Sequence, residues 1–221
     1  MNELATPAKT FSQETAVSMP PITQKIPIVF FGRLEERKGL CTFIEAIKLL
    51  DSELRSKIQI AFLGKVVPLY SAELSHLDSQ QYIERELGTQ VAHEIISNLY
   101  SAQAIQYVKE LNCPIVCLTS PQENFPNSAL EMGQLPVSLV VSDTGGFRET
   151  LQLVNRESGV YWFKSKDADS LAQMLKKALL AYPETPTVCD HATLEQVNKS
   201  LLVQKLEQIE QAFNQAIVSE S

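Results

Sequence analysis

Four charged side chains occupy positions from which they could bind a ligand that carries phosphates and hydroxyls. Arg33 and Lys38 lie five residues apart in a glycine-flanked segment. A planar guanidinium and a compact ammonium at such a turn suit a diphosphate and the charge that develops on it. Glu123 and Glu131 lie eight residues apart further along. An ionised carboxylate only accepts hydrogen bonds, so it pairs with hydroxyl groups, and a nucleotide-sugar would satisfy both pairs.

The two glutamates frame a joint between a strand and a helix. The apolar run Pro114–Thr119 predicts a strand that is buried on both faces. Pro126 suits the first turn of a helix, because its φ is preset and the amide it lacks would be unpaired there. We therefore predict a helix from Pro126 to Gly133. Its free amides would point back at the preceding loop and create a candidate anion site.

Each of these signals has an ordinary structural alternative. Three charged residues separate Arg33 from Lys38, so this segment by itself fits a solvated charged turn equally well. Two glutamates eight positions apart are common in a chain with 26 acidic residues. The pair Gly145-Gly146, taken alone, is usually no more than a turn.

Strands and helices alternate regularly along the chain. Strands are predicted at Ile26–Phe31, Ile58–Leu63, Val91–Ser97, Pro114–Thr119, Val137–Val141 and Gly159–Phe163. The first, fourth and fifth of these have the apolar pattern of buried strands. Asp51–Lys57 is predicted to be a polar connection and Ser142–Gly146 a turn. Helices are predicted after Gly39, with Leu40, Phe43, Ile44 and Ile47 on one face, and at Asp78–Leu87, Ser101–Glu110, Phe147–Val154 and from Asp167. This alternation predicts an α/β fold, a doubly wound parallel sheet in a single Rossmann-like domain. Ligands bind beyond the carboxyl ends of such strands, where both charged loops begin, although the sequence leaves the adjacency of those two strands open.

The two ends of the chain depart from this alternation. Residues 1–25 are polar with interspersed Ala, Thr and Pro, which is typical of a disordered lead-in or linker. The ordered domain is predicted for residues 26–218. It ends in a long helix from about Thr193 to Ile217, whose apolar positions alternate by four and three: Leu202, Leu206, Ile209 and Phe213.

Composition narrows the classes of function. The net charge of −7 argues against nucleic-acid binding, because no basic field exists to attract phosphates. The four cysteines form no CxxC pair and the three histidines are scattered, so we expect reduced, buried thiols and no metal site. No signal-peptide pattern opens the chain, and no apolar run approaches ~20 residues. These features predict a cytoplasmic protein.

The order and spacing of three motifs together resemble one enzyme family. The motifs are Gly-Arg-Leu-x-x-x-Lys-Gly from Gly32, Glu-x7-Glu from Glu123, and Ser-Asp-x-Gly-Gly-x-x-Glu from Ser142. They are similar to the donor-binding, C-terminal half of the retaining GT-B glycosyltransferases, the glycosyltransferase family 4 group. The resemblance covers residues 26 to 182, and the final helix is similar to the one that closes this domain in the family. It implies that the chain belongs to a hexosyltransferase that acts on a glycan or small-molecule acceptor.

The resemblance also implies a role for each matching residue. Arg33 and Lys38 would hold the donor diphosphate and stabilise it as it leaves, and Glu123 would contact hydroxyls of the transferred sugar. Glu131 would accept both ribose hydroxyls. The remaining donor-binding positions, including the backbone amides that would meet the phosphates, are Gly32, Asn124, Phe125, Pro126, Asn127 and Ser128. No cofactor and no metal are implied.

Two departures from the family pattern qualify the resemblance. Pro136 stands where the family usually has glycine and Ser138 where it usually has proline, so the exact end of one helix and the start of the next strand are not predicted.

The acceptor domain of the family is expected to be missing from this sequence, since only about 25 irregular residues precede the first strand. Asp167-Ala-Asp169 resembles the metal motif of another glycosyltransferase class, but its place before an amphipathic helix favours a helix cap.

Two other functions are considered beside the glycosyltransferase. A non-catalytic GT-B-like interaction module would use the cleft for a partner protein, but it would have no reason to retain all four charged residues. A Rossmann dehydrogenase is disfavoured because no GxGxxG follows any strand. The expected partners are a nucleoside-diphosphate-sugar and the missing acceptor domain, with peripheral membrane association of a full-length protein left open.

Overall fold

A single parallel sheet of six strands organises the described part of the chain. The computed structural model describes residues 25–156, 158–189 and 191–219, without the side chains of residues 191, 197 and 212–219. The lead-in predicted before residue 25 and the side chain of Phe213 therefore lie outside the described part. The strands are β1 Ile26–Phe31, β2 Ile58–Leu63, β3 Ala92–Ile96, β4 Ile115–Leu118, β5 Ser138–Asp143 and β6 Val160–Lys164.

Eight helices accompany the strands in the described residues. They are α1 Leu40–Leu49, α2 Ser52–Lys57, α3 Ser79–Leu87, α4 Ser101–Glu110, α5 Asn127–Gly133, α6 Gly146–Leu153, α7 Ala168–Ala181 and α8 His191–Ser219. Helices α1, α3 and α7 share one apolar core with the sheet, and α4, α5 and α6 share the other. Both faces of the sheet are therefore covered, which is the doubly wound arrangement that the sequence predicts.

The strand order places the two charged loops side by side. The strands follow the order β3-β2-β1-β4-β5-β6, and every neighbouring pair is parallel. Strand β1 pairs with β4, so the chain direction across the sheet reverses between these two strands. A crevice forms at the carboxyl ends of the strands that flank such a reversal. The loops after β1 and β4 open into this one crevice, as the sequence interpretation requires.

Strand β1, inside the sheet, is buried on both faces because its side chains alternate between the two cores. Ile28 and Phe30 point into the core of α1, α3 and α7, and Val29 points into the other. All three side chains are essentially inaccessible to solvent. Phe30, Phe43 and Phe62 lie with ring centroids 5.3 to 5.9 Å apart in tilted and edge-on arrangements, which are the geometries that aromatic rings favour.

Most predicted elements are confirmed, and the corrections fall at element ends. The polar connection Asp51–Lys57 contains the short helix α2, because the Asp51 carboxylate accepts a hydrogen bond from the Leu54 amide at 2.8 Å. Pro126 is the residue before α5 and not its first residue. Strand β5 continues through Asp143, which the sequence pattern assigned to a turn. The prediction of buried thiols holds only for Cys117, since the other three free cysteines are partly exposed.

A buried arginine holds the segment between α5 and β5, which contains Pro136 and Ser138, the two residues that depart from the family pattern. Helix α5 ends at Gly133, where a Cβ would crowd the side chains of Val154 and Leu151. The Arg156 guanidinium, only 4 % exposed, donates to the carbonyl oxygens of Leu135, at 2.9 Å, and of Val137. Burial lowers the pKa of Arg156 to about 10. This side chain joins the carbonyl oxygen of Val137 to that of Leu135, which also accepts from the Val137 amide at 2.8 Å, in the segment between α5 and β5.

We predict that Arg156→Met destabilises the domain by about 2–4 kcal/mol, because two hydrogen bonds from a charged, buried donor are lost while the buried volume is kept. Chemical denaturation of the variant measures the free energy of unfolding. Arg55→Met is the matched control: Arg55 is exposed and donates to Gln90 at 3.1 Å, so its loss should change stability by less than about 0.5 kcal/mol. Similar values for the two variants would contradict the role given to Arg156.

Candidate functional site

The crevice between the β1 and β4 loops contains a cleft of about 220 Å³. Its wall combines the end of β1, the β4 loop and the start of α5, with Phe147 of α6 at its base. The lining residues are Phe31, Gly32, Lys38, Leu118, Thr119, Ser120, Glu123, Phe125, Pro126, Asn127, Ser128 and Phe147. Ligand sites that enclose a whole small molecule usually measure ~300–1,000 Å³, so this cleft has the size of one wall or subsite.

Lys38 is positioned by a close contact between the two loops. A 3-10 turn, Glu36–Lys38, precedes Gly39, whose left-handed φ is 78°. A Cβ at Gly39 would overlap the carbonyl oxygen of Thr119. The Thr119 hydroxyl in turn donates to the carbonyl oxygen of Lys38 at 2.7 Å. The glycine and the threonine together lock the Lys38 backbone against the end of β4.

Lys38 and Glu123 form an ion pair in the cleft, although 85 residues separate them in the chain. Both side chains are largely buried, with 23 % and 12 % exposure. Burial alone would raise the pKa of Glu123, but hydrogen bonds from Lys38 and Ser120 and the charges of Lys38 and Arg37 outweigh burial and lower it. Glu123 is therefore ionised at neutral pH, and it can accept hydrogen bonds from hydroxyl groups.

The loop that carries Glu123 packs against the glycine pair Gly145-Gly146, which belongs to the motif that begins at Ser142. The Gly146 amide donates to the carbonyl oxygen of Glu123 at 2.9 Å. A Cβ at Gly146 would overlap the carbonyl oxygen of Asn124, and one at Gly145 would crowd that of Glu123. The hydroxyl of Thr144 also donates to this loop, to the carbonyl oxygen of Pro121 at 3.2 Å. The glycine pair is thus a docking point for the β4 loop and more than a simple turn.

Arg33 lies at the edge of the cleft and does not line it. Its guanidinium is 3.4 Å from Glu35 Oε1, and Arg37 is 3.1 Å from the same oxygen. Glu35 is nearly buried, whereas the side chains of Arg33 and Arg37 are 53 % and 61 % exposed. One carboxylate therefore anchors two guanidiniums at the cleft edge, and their outer donors remain accessible to an anion.

Glu131 also lies beyond the cleft lining, on the second turn of α5. Its Oε1 accepts a hydrogen bond from the Ser101 hydroxyl of α4 at 2.7 Å. Helices α4 and α5 are neighbours on the same face of the sheet. The Glu131 carboxylate is therefore placed toward the start of α4, the helix that follows β3.

The structure brings together seven of the ten predicted donor-binding residues. Those that line the cleft are Gly32, Lys38, Glu123, Phe125, Pro126, Asn127 and Ser128. Arg33, Asn124 and Glu131 flank it. Sequence reasoning missed four lining residues and the anchor of the two arginines, Glu35. The missed lining residues are Phe31, Leu118, Thr119 and Phe147. The only signal for Thr119 was its place as the last residue of the predicted strand, directly before the loop.

The Asp167-Ala-Asp169 motif caps a helix. Asp167 precedes α7, and its Oδ1 accepts a hydrogen bond from the Ser170 amide at 2.9 Å, as the sequence predicts. Within residues 25–156, 158–189 and 191–219, no cluster of three or more His, Cys, Asp or Glu side chains could hold a metal ion. No helix in the same residues is long and apolar enough to span a bilayer.

A larger, open groove of about 830 Å³ lies elsewhere, along α8. All of its lining residues belong to this one helix, from Thr193 to Glu207, and none comes from a loop at the carboxyl ends of the strands. We regard the smaller cleft as the candidate site, because it alone of the two combines charged side chains with a crevice between loops of the sheet.

Comparison with known proteins gives a family match over most of the chain. The family model described as "Glycosyl transferases group 1" matches residues 13–194. Granule-bound starch synthase 1 of Pisum sativum is 28 % identical over 176 residues, which are 73 % of this chain and 26 % of that protein. The chain therefore spans about a quarter of the length of this curated relative.

Two solved structures show the same fold at low sequence identity. The HepE protein of Anabaena, crystallised in complex with UDP, is 16 % identical with a TM-score of 0.55, over 89 % of this chain and 49 % of that one. The sucrose-phosphate synthase of Thermosynechococcus elongatus is 20 % identical with a TM-score of 0.57, over 86 % and 46 %. The chain corresponds to about half of each, a Rossmann-like half of a GT-B fold.

We predict that Gly39→Ala destabilises the domain by about 3 kcal/mol or more, since two costs add. The backbone of Gly39 is left-handed, at φ 78° and ψ 23°, and an alanine in that conformation costs about 1–2 kcal/mol by itself. The new methyl group would also overlap the carbonyl oxygen of Thr119, and overpacking of this kind typically costs about 1–3 kcal/mol. Urea denaturation measures the free energy of unfolding, and a loss no larger than the cost of a left-handed alanine would show that the Thr119 contact is dispensable.

Proposed function

Because the chain belongs to the glycosyl transferases group 1 family, we propose that its cleft binds a nucleoside-diphosphate-sugar donor. The chain would be the donor-binding half of a retaining glycosyltransferase of the family 4 group that transfers a hexose. The observation that carries the proposal is the pairing of Lys38 with Glu123 across the reversal point of the sheet, beside the start of α5. A cation and an acceptor for hydroxyl groups are adjacent there, as the junction between a diphosphate and its sugar requires.

The diphosphate is assigned to the cations of the β1 loop and to the start of α5. Lys38 lines the cleft, and Arg33 lies at its edge, where the guanidinium pairs with Glu35 and is free to turn toward a phosphate. The amides of Asn124 to Ser128 precede or open α5, and backbone amides in this position suit an anion. The site therefore offers two cations and a group of amide donors to two phosphate groups.

The sugar and the ribose are assigned to the two glutamates. Glu123 is ionised and lies beside Lys38, so it accepts from sugar hydroxyls next to the diphosphate. Glu131 is further along α5, toward β3, which suits the ribose at the other end of the diphosphate. The nucleotide would then extend from Glu123 over the start of α5 to Glu131.

The chemistry assigned to these residues is electrostatic. When the sugar leaves with oxocarbenium-like character, negative charge grows on the diphosphate, and Lys38 and Arg33 stabilise it as it departs. The cations are fixed before the reaction by Glu123 and Glu35, so little reorganisation accompanies this step. No divalent metal is assigned a part, and the neutralising charge is assigned to these side chains.

Transfer of the sugar to an acceptor is assigned to the donor-binding half and an acceptor-binding half acting together. The relatives are about twice the length of this chain or longer. Holding an acceptor hydroxyl against the anomeric carbon can account for ~7–11 kcal/mol of a barrier, and such positioning needs two walls. We therefore expect residues 1–221 alone to bind donor and to hydrolyse it slowly at most.

The first test is a binding panel with UDP, GDP, ADP and a nicotinamide dinucleotide, with and without EDTA. We expect one of the three nucleoside diphosphates to raise the melting temperature, and EDTA to leave this shift unchanged. Arg33→Ala should then weaken the diphosphate far more than the matching nucleoside in calorimetry, because only the former contacts the guanidinium. Arg85→Ala, an exposed arginine on α3 that pairs with Glu86, is the control. Equal losses for nucleoside and diphosphate would contradict the role of Arg33, and binding of none of the four would contradict the proposal.

We also predict that Glu131→Gln weakens the same nucleoside diphosphate by about 1.5–3 kcal/mol, the usual contribution of a hydrogen bond to a charged group. The amide replaces one acceptor oxygen with a donor, so one ribose hydroxyl loses its best partner. Calorimetry with the preferred nucleotide measures the loss. Glu53→Gln, on the exposed helix α2, is the control. Unchanged affinity in Glu131→Gln would remove this residue from the site.

A further inference from the structure

We infer that Ser101 is a positioning residue for ribose recognition, acting through Glu131. The inference rests on the proposed function, since it assumes that Glu131 binds the ribose. Its structural basis is the hydrogen bond from the Ser101 hydroxyl to Glu131 Oε1 at 2.7 Å, between two elements that are 30 residues apart.

The placement of Ser101 is a consequence of the sheet topology. The chain leaves the carboxyl end of β3 and enters α4, of which Ser101 is the first residue. Helix α4 then packs beside α5 on the same face of the sheet. The start of α4 and the second turn of α5 are thereby brought together at the edge where ligands bind.

The hydrogen bond selects one orientation of a side chain that is otherwise free to rotate. Glu131 is partly exposed, and a glutamate side chain in that position samples several rotamers in solution. A donor fixed on a neighbouring helix restricts this sampling. The carboxylate is then pre-oriented, so ribose does not have to order it on binding.

The bond leaves the carboxylate with enough acceptor capacity for its assigned task. An ionised carboxylate has about four lone-pair sites on two oxygens. Ser101 occupies one site on Oε1, which leaves Oε2 and the rest of Oε1 for the two ribose hydroxyls. Ser101 contributes its only hydroxyl proton to this bond, so it acts on the ligand through Glu131.

A role in helix stability alone is distinguishable from this one. The N-cap position of α4 is occupied by Tyr100 and not by Ser101. The Tyr100 amide donates to Gln103 Oε1 at 3.0 Å, and the Ser101 side chain takes no part in this cap. Loss of the Ser101 hydroxyl should therefore change recognition of the ribose and leave the helix intact.

The test compares ribonucleotides with their 2′-deoxy counterparts. Calorimetry is done with UDP, GDP and ADP and with dUDP, dGDP and dADP on the wild-type chain, Ser101→Ala and Ser101→Thr. For the ribonucleotide that binds best, Ser101→Ala should lower the affinity about fivefold, the net contribution of one ordinary hydrogen bond. Its 2′-deoxy form should lose less, so discrimination between the two falls. Ser101→Thr keeps a hydroxyl and should retain discrimination.

Two further variants separate the possible causes. In the Glu131→Gln background, Ser101→Ala should have no additional effect on discrimination, because the two residues act as one unit. Ser52→Ala removes a serine from the same first position of another helix, α2, and should change nothing. Equal losses for ribo and deoxy forms, or a full effect of Ser101→Ala without Glu131, would overturn the inference while leaving donor binding intact. Failure of the wild-type chain to bind any ribonucleotide would overturn the proposed function together with it.

Discussion

The candidate site depends on backbone-to-backbone contacts that only glycine permits. Gly39 lets the β1 loop meet the carbonyl oxygen of Thr119, and Gly146 lets the start of α6 meet that of Asn124. These contacts hold the β4 loop between two neighbours, one on each side, so Glu123 has little freedom to move. Any Cβ at either position would push the loops apart. The charged residues could keep their identities after such a change, but they would no longer converge on one cleft.

Charge within the site is balanced in advance by paired carboxylates. Lys38 is opposed by Glu123, and the two arginines of the β1 loop share Glu35. Ion pairs are weak evidence of stability, whether they are exposed or buried, and the role we give to these pairs is orientation. A cation that is already held by a carboxylate presents its remaining donors in a fixed direction, which suits an anion with defined geometry. The same logic extends to Glu131, which is held by the hydroxyl of Ser101.

Local sequence signals identified most of the fold because they are strong in a parallel sheet. Apolar-rich segments marked all six strands, with β1 and β2 placed to the residue, and the periodic face of Leu40 to Ile47 marked α1. Errors occurred where local pattern is weak. A capped polar segment at Asp51 was mistaken for a loop, and the end of β5 was given to a turn because Ser142 and Asp143 have turn propensity. There the pairing with β6 overrides propensity.

The sequence by itself determined the class of fold, the order of its elements and the identities of the charged residues at two strand ends. These three features depend on local composition and spacing, and such properties are present in the sequence before the chain folds. The tertiary structure alone decided that β1 and β4 are neighbours, that Lys38 pairs with Glu123 and that Glu131 meets Ser101. Those contacts join residues 30 to 87 positions apart, from Ser101 and Glu131 to Ile28 and Ile115. They follow from the way the strands order themselves to bury both faces of the sheet, and no local pattern encodes that order.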